Sequence, residues 1–386
     1  MAKKSSSKGK VSPVRKQYLD IKAQHQDAIL FFRLGDFYET FDEDAEIAAR
    51  ELDIVLTSRN VAKGVRIPMA GIPHHAMENY LSRLIERGYH VAICDQVGDE
   101  PIQGLMPREV VRIITPGTIV EPGLLPGDAN NYLMAVVIDE RLAGVSYVDI
   151  TTGEYAATEL AGEHILNAVR AEINRLRPAE ILIPESLHLG DHDDGLPGFT
   201  TSWPDWRFEP GRCEEVVQQH FETASLDGFG LRNKPLAVRA AGSILQYLKE
   251  TQPTALKLLT GLSAYSLDEF MTLDANTRRN LELTETIRGS RLKGSLLGVL
   301  DRPVSPMGAR LLRQWVSKPL LDVNAIGERQ ENIEFFFNDG LRRAEIRQAL
   351  KPLNDLERLS NRVVGGTANP RDLVAIRSTL ESLPTL

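Results

Sequence analysis

The sequence predicts an α/β chain of several domains that ends in an all-α segment. Three observations predict it. Strand-like and helix-like patterns interleave through the first third. A run of three apolar strands broken by short polar turns then leads into a strand–helix–strand pattern. From Lys234 onward helical patterning dominates. Interleaved elements imply layered α/β packing, whereas consecutive helices pack on one another. At 386 residues there is room for two to four such domains, and an apolar fraction of 42% with 25% charged residues is that of an ordinary water-exposed protein.

The elements follow in order. Residues 1–16 carry six basic and no acidic side chains and read as a disordered basic arm, or equally as a solubilising tail. A helical pattern from Val14 to about Gln24 leads into Ile29-Leu30-Phe31-Phe32-Arg33-Leu34, an apolar β-forming run, and a second short strand entered at Phe37. Asp42 is placed to cap a helix to about Leu52. Ile54 to Thr57 reads as a strand, Ser58 to Arg66 as a polar loop, His75 to Arg87 as a helix stopped by Gly88, and Tyr89 to Cys94 as a buried strand. The stretch from Thr115-Pro116-Gly117 to Gly127 is rich in Pro and Gly and marks a boundary.

Strands over Tyr132–Ile138, Gly144–Ile150 and Glu154–Leu160 open the second domain, followed by a helix over Glu163–Leu176 and a strand at Glu180–Ile183. Helices are expected over Ala237–Thr251, within Leu267–Arg288, from Pro306 to Val316, from Asp322 to Asn338, and from the Asn369-Pro370 cap to Leu383. The Leu311, Leu312, Trp315 and Val316 stripe reads as packing.

Charge excludes some roles and locates others. The net charge of −8 is unevenly spread: residues 1–120 are neutral, 121–265 carry −10 and 266–386 carry +2. The acidic middle should avoid phosphate, while the flanks can approach it. The apolar run Leu133-Met134-Ala135-Val136-Val137-Ile138 is too short to span a bilayer, and no apolar core follows the basic start. Cys94 and Cys213 alone suggest neither a disulfide framework nor a zinc site. A cytoplasmic location is expected. Asp149, late on the second strand of the middle domain, stands without the further carboxylates a metal-dependent nuclease needs.

The most informative stretch is Gly35-Asp36-Phe37-Tyr38-Glu39. In extended geometry Phe37 and Glu39 share one face and Tyr38 takes the other. On pattern alone such a Phe is core and such a Glu a solvated strand end. Its company changes the reading: Ile67-Pro68-Met69-Ala70-Gly71-Ile72-Pro73-His74-His75-Ala76, then Ala92-Ile93-Cys94-Asp95-Gln96-Val97-Gly98-Asp99, then Val111-Arg112-Ile113-Ile114-Thr115-Pro116-Gly117-Thr118. Asp274-Ala275-Asn276-Thr277-Arg278-Arg279-Asn280 and Ser305-Pro306-Met307-Gly308-Ala309-Arg310 come later. In this order the blocks resemble the MutS family of DNA mismatch-recognition proteins, over most of the chain from about Tyr18.

The resemblance implies a mismatch-recognition domain over 17–120, a ribonuclease-H-like connector over 127–252 and the start of a helical core or lever domain over 262–386. It assigns Phe37 and Glu39 to the Phe-x-Glu mismatch probe. It makes Arg59 and Arg108 candidate phosphate contacts and Met69 a candidate minor-groove contact beside Gly71. Two have plain alternatives: Arg59 as solvated loop charge, and Met69 as core. Many relatives follow Arg108 with a second basic residue, where this chain has Glu109. His74 and His75 read as a helix start, with no third metal ligand at a recognisable spacing.

The implied partners are double-stranded DNA with mismatches or small loops, MutL on the connector, and a second copy in a homodimer. The implied cofactors of the full-length family are ATP and Mg2+. This chain lacks the Gly-x-x-x-x-Gly-Lys-Ser/Thr loop, since its only Gly-Lys pair is Gly9-Lys10. A fragment that binds DNA weakly and is not itself an enzyme is therefore expected. The alternative is a non-enzymatic adapter that keeps the connector surface without reading mismatches.

Overall fold

A two-residue turn organises the first unit. In the computed structural model, which describes residues 12–62, 65–98, 100–101, 104–189 and 196–385, β1 (Ala28–Leu34) and β2 (Phe37–Phe41) pair antiparallel with Leu34 opposite Phe37. Gly35 takes φ of +59° between them. Positive φ at the first turn position suits Gly, which has no Cβ to clash, and the resulting turn follows the twist of the flanking strands. Around this hairpin stand α1 (Pro13–Lys22), α2 (Asp42–Leu52), β3 (Thr57–Ala62), β4 (Val65–Pro73), α3 (Met77–Ile85), β5 (His90–Gln96) and β6 (Arg108–Ile114). The six strands form one sheet in the order β3-β4-β2-β1-β5-β6, with β1 and β5 parallel and the remaining neighbours antiparallel.

Tyr18, Leu30, Phe32, Phe41, Ala92 and Cys94 form an apolar cluster of this unit. Asp44 is buried beside it, accepting from the Leu30 amide at 3.0 Å, Tyr18 hydroxyl at 3.1 Å and Lys22 Nζ at 2.9 Å. Satisfying the oxygens in this way is what makes a buried carboxylate tolerable.

Three expectations for this unit are corrected. Asp42 makes no cap: it opens α2 with φ of +55°, its carboxylate pairs with Arg15, and no side-chain cap bond is present. Ile54 to Leu56 is not a strand, and Val55 is 82% exposed. The expected loop over Ser58 to Arg66 instead supplies the β3–β4 hairpin, whose polar composition hid it from apolar alternation. The basic arm lies outside the described residues up to Val11, while Pro13 to Lys16 belong to α1, capped by Ser12.

The second unit begins with β7 (Leu133–Asp139), β8 (Leu142–Asp149) and β9 (Glu154–Ala161), an antiparallel meander. α4 (Ile165–Leu176) returns the chain to β10 (Glu180–Pro184), which lies parallel to β7, and β11 (Phe199–Trp203) adds parallel to β10. After α5 (Pro210–His220) and α6 (Pro235–Thr251), β12 (Ser263–Ala264) completes the order β11-β10-β7-β8-β9-β12. The meander extended by parallel strands on the β7 side is the ribonuclease-H-like arrangement expected. Helices then follow: α7 (Ala275–Asn280), α8 (Leu296–Leu300), α9 (Pro306–Ser317), α10 (Val323–Asn338), α11 (Gly340–Leu350), α12 (Leu356–Val364) and α13 (Pro370–Ser382).

The later motifs are structural. Ser305 caps α9 by accepting from the Gly308 amide at 3.2 Å, with Pro306 in the first turn. Arg310, 3% exposed, holds Asp355 by two nitrogens at 2.6 and 2.8 Å and Glu357 at 2.6 Å. Asp274 caps α7 through the Thr277 amide at 2.9 Å. Asn369 forms a capping box on α13 with Asp372. The helix expected within Leu267–Arg288 is the short α7, and one expectation fails: the α9 stripe is not wholly packed, since Leu311 and Trp315 are exposed.

Candidate nucleic-acid interface

Phe37 follows the Gly35-Asp36 turn directly, so it stands at the end of the β1–β2 hairpin. Phe37 is 49% exposed. Tyr38, on the opposite face, is buried, stacks on Phe31 with centroids 6.1 Å apart and donates to Asp95 Oδ1 at 2.8 Å. Burial and the Asp95 bond push the Tyr38 hydroxyl far above its ordinary value. The period of two thus sends one aromatic inward as an anchor and leaves the other facing water. The turn is also tied to the neighbouring strand end, where the His74 amide donates to the Asp36 carbonyl at 2.8 Å.

Glu39 lies on the Phe37 face, opposite Phe32 on β1 and Gly71 on β4. Its carboxylate pairs with Arg59 on β3. Arg59 reaches across β4, and its guanidinium sits 5.9 Å from the centroid of the Phe41 ring. Burial raises the Glu39 carboxyl above the ordinary carboxylate range, and the charge and hydrogen bond of Arg59 only partly oppose this. The arrangement presents an apolar ring beside a partly buried carboxyl group held by an arginine.

The remaining expected contacts fall elsewhere. Met69, opposite Phe41 and Thr57, packs against the Tyr18–Phe32–Phe41 cluster, so the core reading holds for it. Gly71 meets no backbone demand: a Cβ there would lie at ordinary contact distance, 3.5 Å from the Tyr38 carbonyl and 3.7 Å from Glu39 Cγ. Arg108 is corrected. It is 8% exposed, donates to the Arg33 carbonyl at 2.6 Å and to Gln17 Oε1 and the Met106 carbonyl at 3.0 Å, and lies 5.0 Å from the Phe32 centroid. A guanidinium so engaged acts as a structural clamp. His74 and His75 open the short 3-10 turn before α3, as a helix start should.

Sequence reasoning missed the Arg59–Glu39 pair, because Arg59 was read on a loop. The signal lay in the register: a hairpin over 57–73 puts β3 two strands from β2.

Asp149 is fully consumed by its surroundings. Its oxygens accept from Asn130 Nδ2 at 2.9 Å, the Asn131 amide at 3.2 Å, the Thr151 amide at 2.9 Å and the Thr151 hydroxyl at 2.6 Å. Four donors fill a carboxylate and leave no lone pair for a metal ion. Among the described residues no helix is long and apolar enough to cross a membrane.

Comparison with known families matches three successive models: MutS domain I over residues 12–122, MutS domain II over 131–260 and MutS domain III over 276–386. Among curated proteins, the DNA mismatch repair protein MutS of Dehalococcoides mccartyi (strain ATCC BAA-2266 / KCTC 15142 / 195) is 47% identical over 379 residues, covering 97% of this chain and 43% of that protein. That of Symbiobacterium thermophilum is 46% identical over 98% of this chain and 44% of its own length. That of Halothermothrix orenii is 44% identical over 98% and 42%. The chain therefore spans less than half the length of the curated relatives it matches.

Proposed function

The chain belongs to the MutS family of DNA mismatch repair proteins, and from that premise we propose that it reads mispaired or unpaired bases in duplex DNA by inserting Phe37 as a wedge from the minor groove. The coarser role, DNA binding in mismatch repair, goes with the family. The observation that supports the wedge is the half-exposed Phe37 ring at the hairpin end, beside Glu39 on the same face.

The physical argument is differential. Wedging between base steps unstacks them at a cost of a few kcal/mol, and that cost is least where pairing is already defective. A displaced base stacked on Phe37 returns about 1–3 kcal/mol, whatever its identity. Glu39 then tests the base edge. As a carboxylate it is repelled by phosphates, so it adds discrimination rather than affinity. As a neutral acid, a form favoured by its burial, it donates to a base acceptor. Duplex that bends cheaply at the lesion lowers the total cost. An adapter that only carries a partner surface has no use for an aromatic ring held out in water.

In the whole protein we assign ATP and Mg2+ to segments other than these, because the sequence holds no phosphate-binding loop of the expected pattern. MutL docking on the acidic connector, homodimer formation and a cytoplasmic location belong to the same reading. Titration of matched and mismatched duplexes by fluorescence anisotropy tests it. Phe37→Ala should abolish the preference for mismatched duplex, and Glu39→Ala should narrow it without abolishing DNA binding. Unchanged discrimination in Phe37→Ala would end the wedge assignment.

A further inference from the structure

We propose that Arg59 gates Glu39: in the free chain its guanidinium holds the carboxylate in the charged form, and a DNA phosphate that draws Arg59 away leaves Glu39 to bind a proton and donate it in a hydrogen bond to the displaced base. The inference rests on the mismatch reading above and adds a specificity-determining role for a second side chain. Arg59 would be a positioning residue, acting on the base through Glu39.

Four features of the site carry it. The pair is asymmetric in exposure, with the Arg59 side chain 44% exposed and that of Glu39 18% exposed. The partner that DNA phosphates can reach is therefore the cation, while the carboxyl group stays fixed between strands. Second, Arg59 is the charged group that faces Glu39. The register neighbours of Glu39 are Phe32 on β1 and Gly71 on β4, neither of which titrates. Arg33, the nearest cation on β1, is opposite Tyr38 and directs Nε to the Gly35 carbonyl at 2.6 Å. Third, burial already favours the neutral acid, and Arg59 is what opposes it. Fourth, a guanidinium keeps its charge at every working pH and matches phosphate oxygens as well as carboxylate oxygens, so it can exchange one for the other.

The exchange balances simply. Arg59 leaves the carboxylate and pairs with a phosphate, one proton enters from solvent onto a Glu39 oxygen, and that O–H is donated to an acceptor on the base edge. No covalent bond changes other than protonation. While paired, Glu39 cannot donate; once a phosphate has drawn Arg59 away, a regular duplex still offers no unpaired base acceptor, so the neutral acid gains no hydrogen bond there. Because the bound form holds one more proton, mismatch affinity must fall as pH rises, starting where free Glu39 loses its proton and ending where bound Glu39 does.

Two measurements on the 386-residue chain test the gate. In the free chain, carboxyl-carbon NMR titration of Glu39 should show an upward shift in Arg59→Met relative to the parent, and a return towards the parent value in Arg59→Lys. In binding, calorimetry on a mismatched duplex in two buffers of different ionisation enthalpy should report proton uptake by the parent, less in Arg59→Met and none in Glu39→Gln. An unmoved Glu39 titration in Arg59→Met, or uptake that persists in Glu39→Gln, overturns the gate while leaving the wedge standing if mismatch preference is retained. A parent chain with no mismatch preference removes the wedge and the gate together.

Discussion

Two arginines that look alike in the sequence have opposite fates in the fold. Arg108 spends its donors on the Arg33 and Met106 carbonyls and Gln17, over the Phe32 ring. Burial lowers its basicity, which fits a cation withdrawn from water. Arg108→Met should therefore act on stability, costing about 1–3 kcal/mol through the polar groups it leaves unpaired. Urea unfolding would measure that loss, and duplex titrations under folded conditions should retain the mismatch preference. Arg59 should behave in the reverse way, with little change in unfolding midpoint, since surface ion pairs contribute only about 0–1 kcal/mol.

Elements place these side chains by backbone constraints that tolerate little. The Gly35 turn fixes the register of β1 and β2, and a slip of one residue would send Phe37 inward and Tyr38 outward. In the second unit, the start of α6 lies so close to β8 that a Cβ on Gly144 would stand 1.9 Å from the Leu236 carbonyl oxygen. The obstacle is backbone, which cannot swing aside like a side chain. Gly144→Ala should cost at least about 1–3 kcal/mol, the usual range for overpacking, and should lower the thermal midpoint of the second unit in a calorimetric scan. A midpoint unmoved by that methyl group would contradict the close approach.

For the whole molecule, pH acts through buried carboxyl groups as well as through net charge. Glu172 is buried: desolvation pushes its pKa up, but the charge and hydrogen bond of Arg175, with the Tyr265 hydroxyl at 2.6 Å, outweigh it and leave it below the ordinary value. A carboxyl group depressed on folding contributes stability that is fully present above its unfolded value and is lost as pH falls through the folded one. With an ordinary value of 4.5, stability of the second unit should hold at neutral pH and decline as pH drops below about that point. Urea midpoints measured between pH 7 and pH 3 check this, and a flat profile would contradict it.

The sequence by itself determined the α/β class, the three-stranded meander, the Asp322 and Asn369 helix caps and the alternation of Phe37, Tyr38 and Glu39. These are local: turn chemistry, capping and a period of two need only a few neighbouring residues. It did not reveal the β3–β4 hairpin, whose strands are too polar to show alternation, nor the burial of Arg108, whose partners Gln17 and Arg33 lie 91 and 75 residues away. Nor did it reveal that Arg59 holds Glu39. That contact joins residues 20 apart across an intervening strand, and only the sheet order brings them together. Strand order depends on which apolar faces bury best against each other, a property of the folded whole that no single segment encodes.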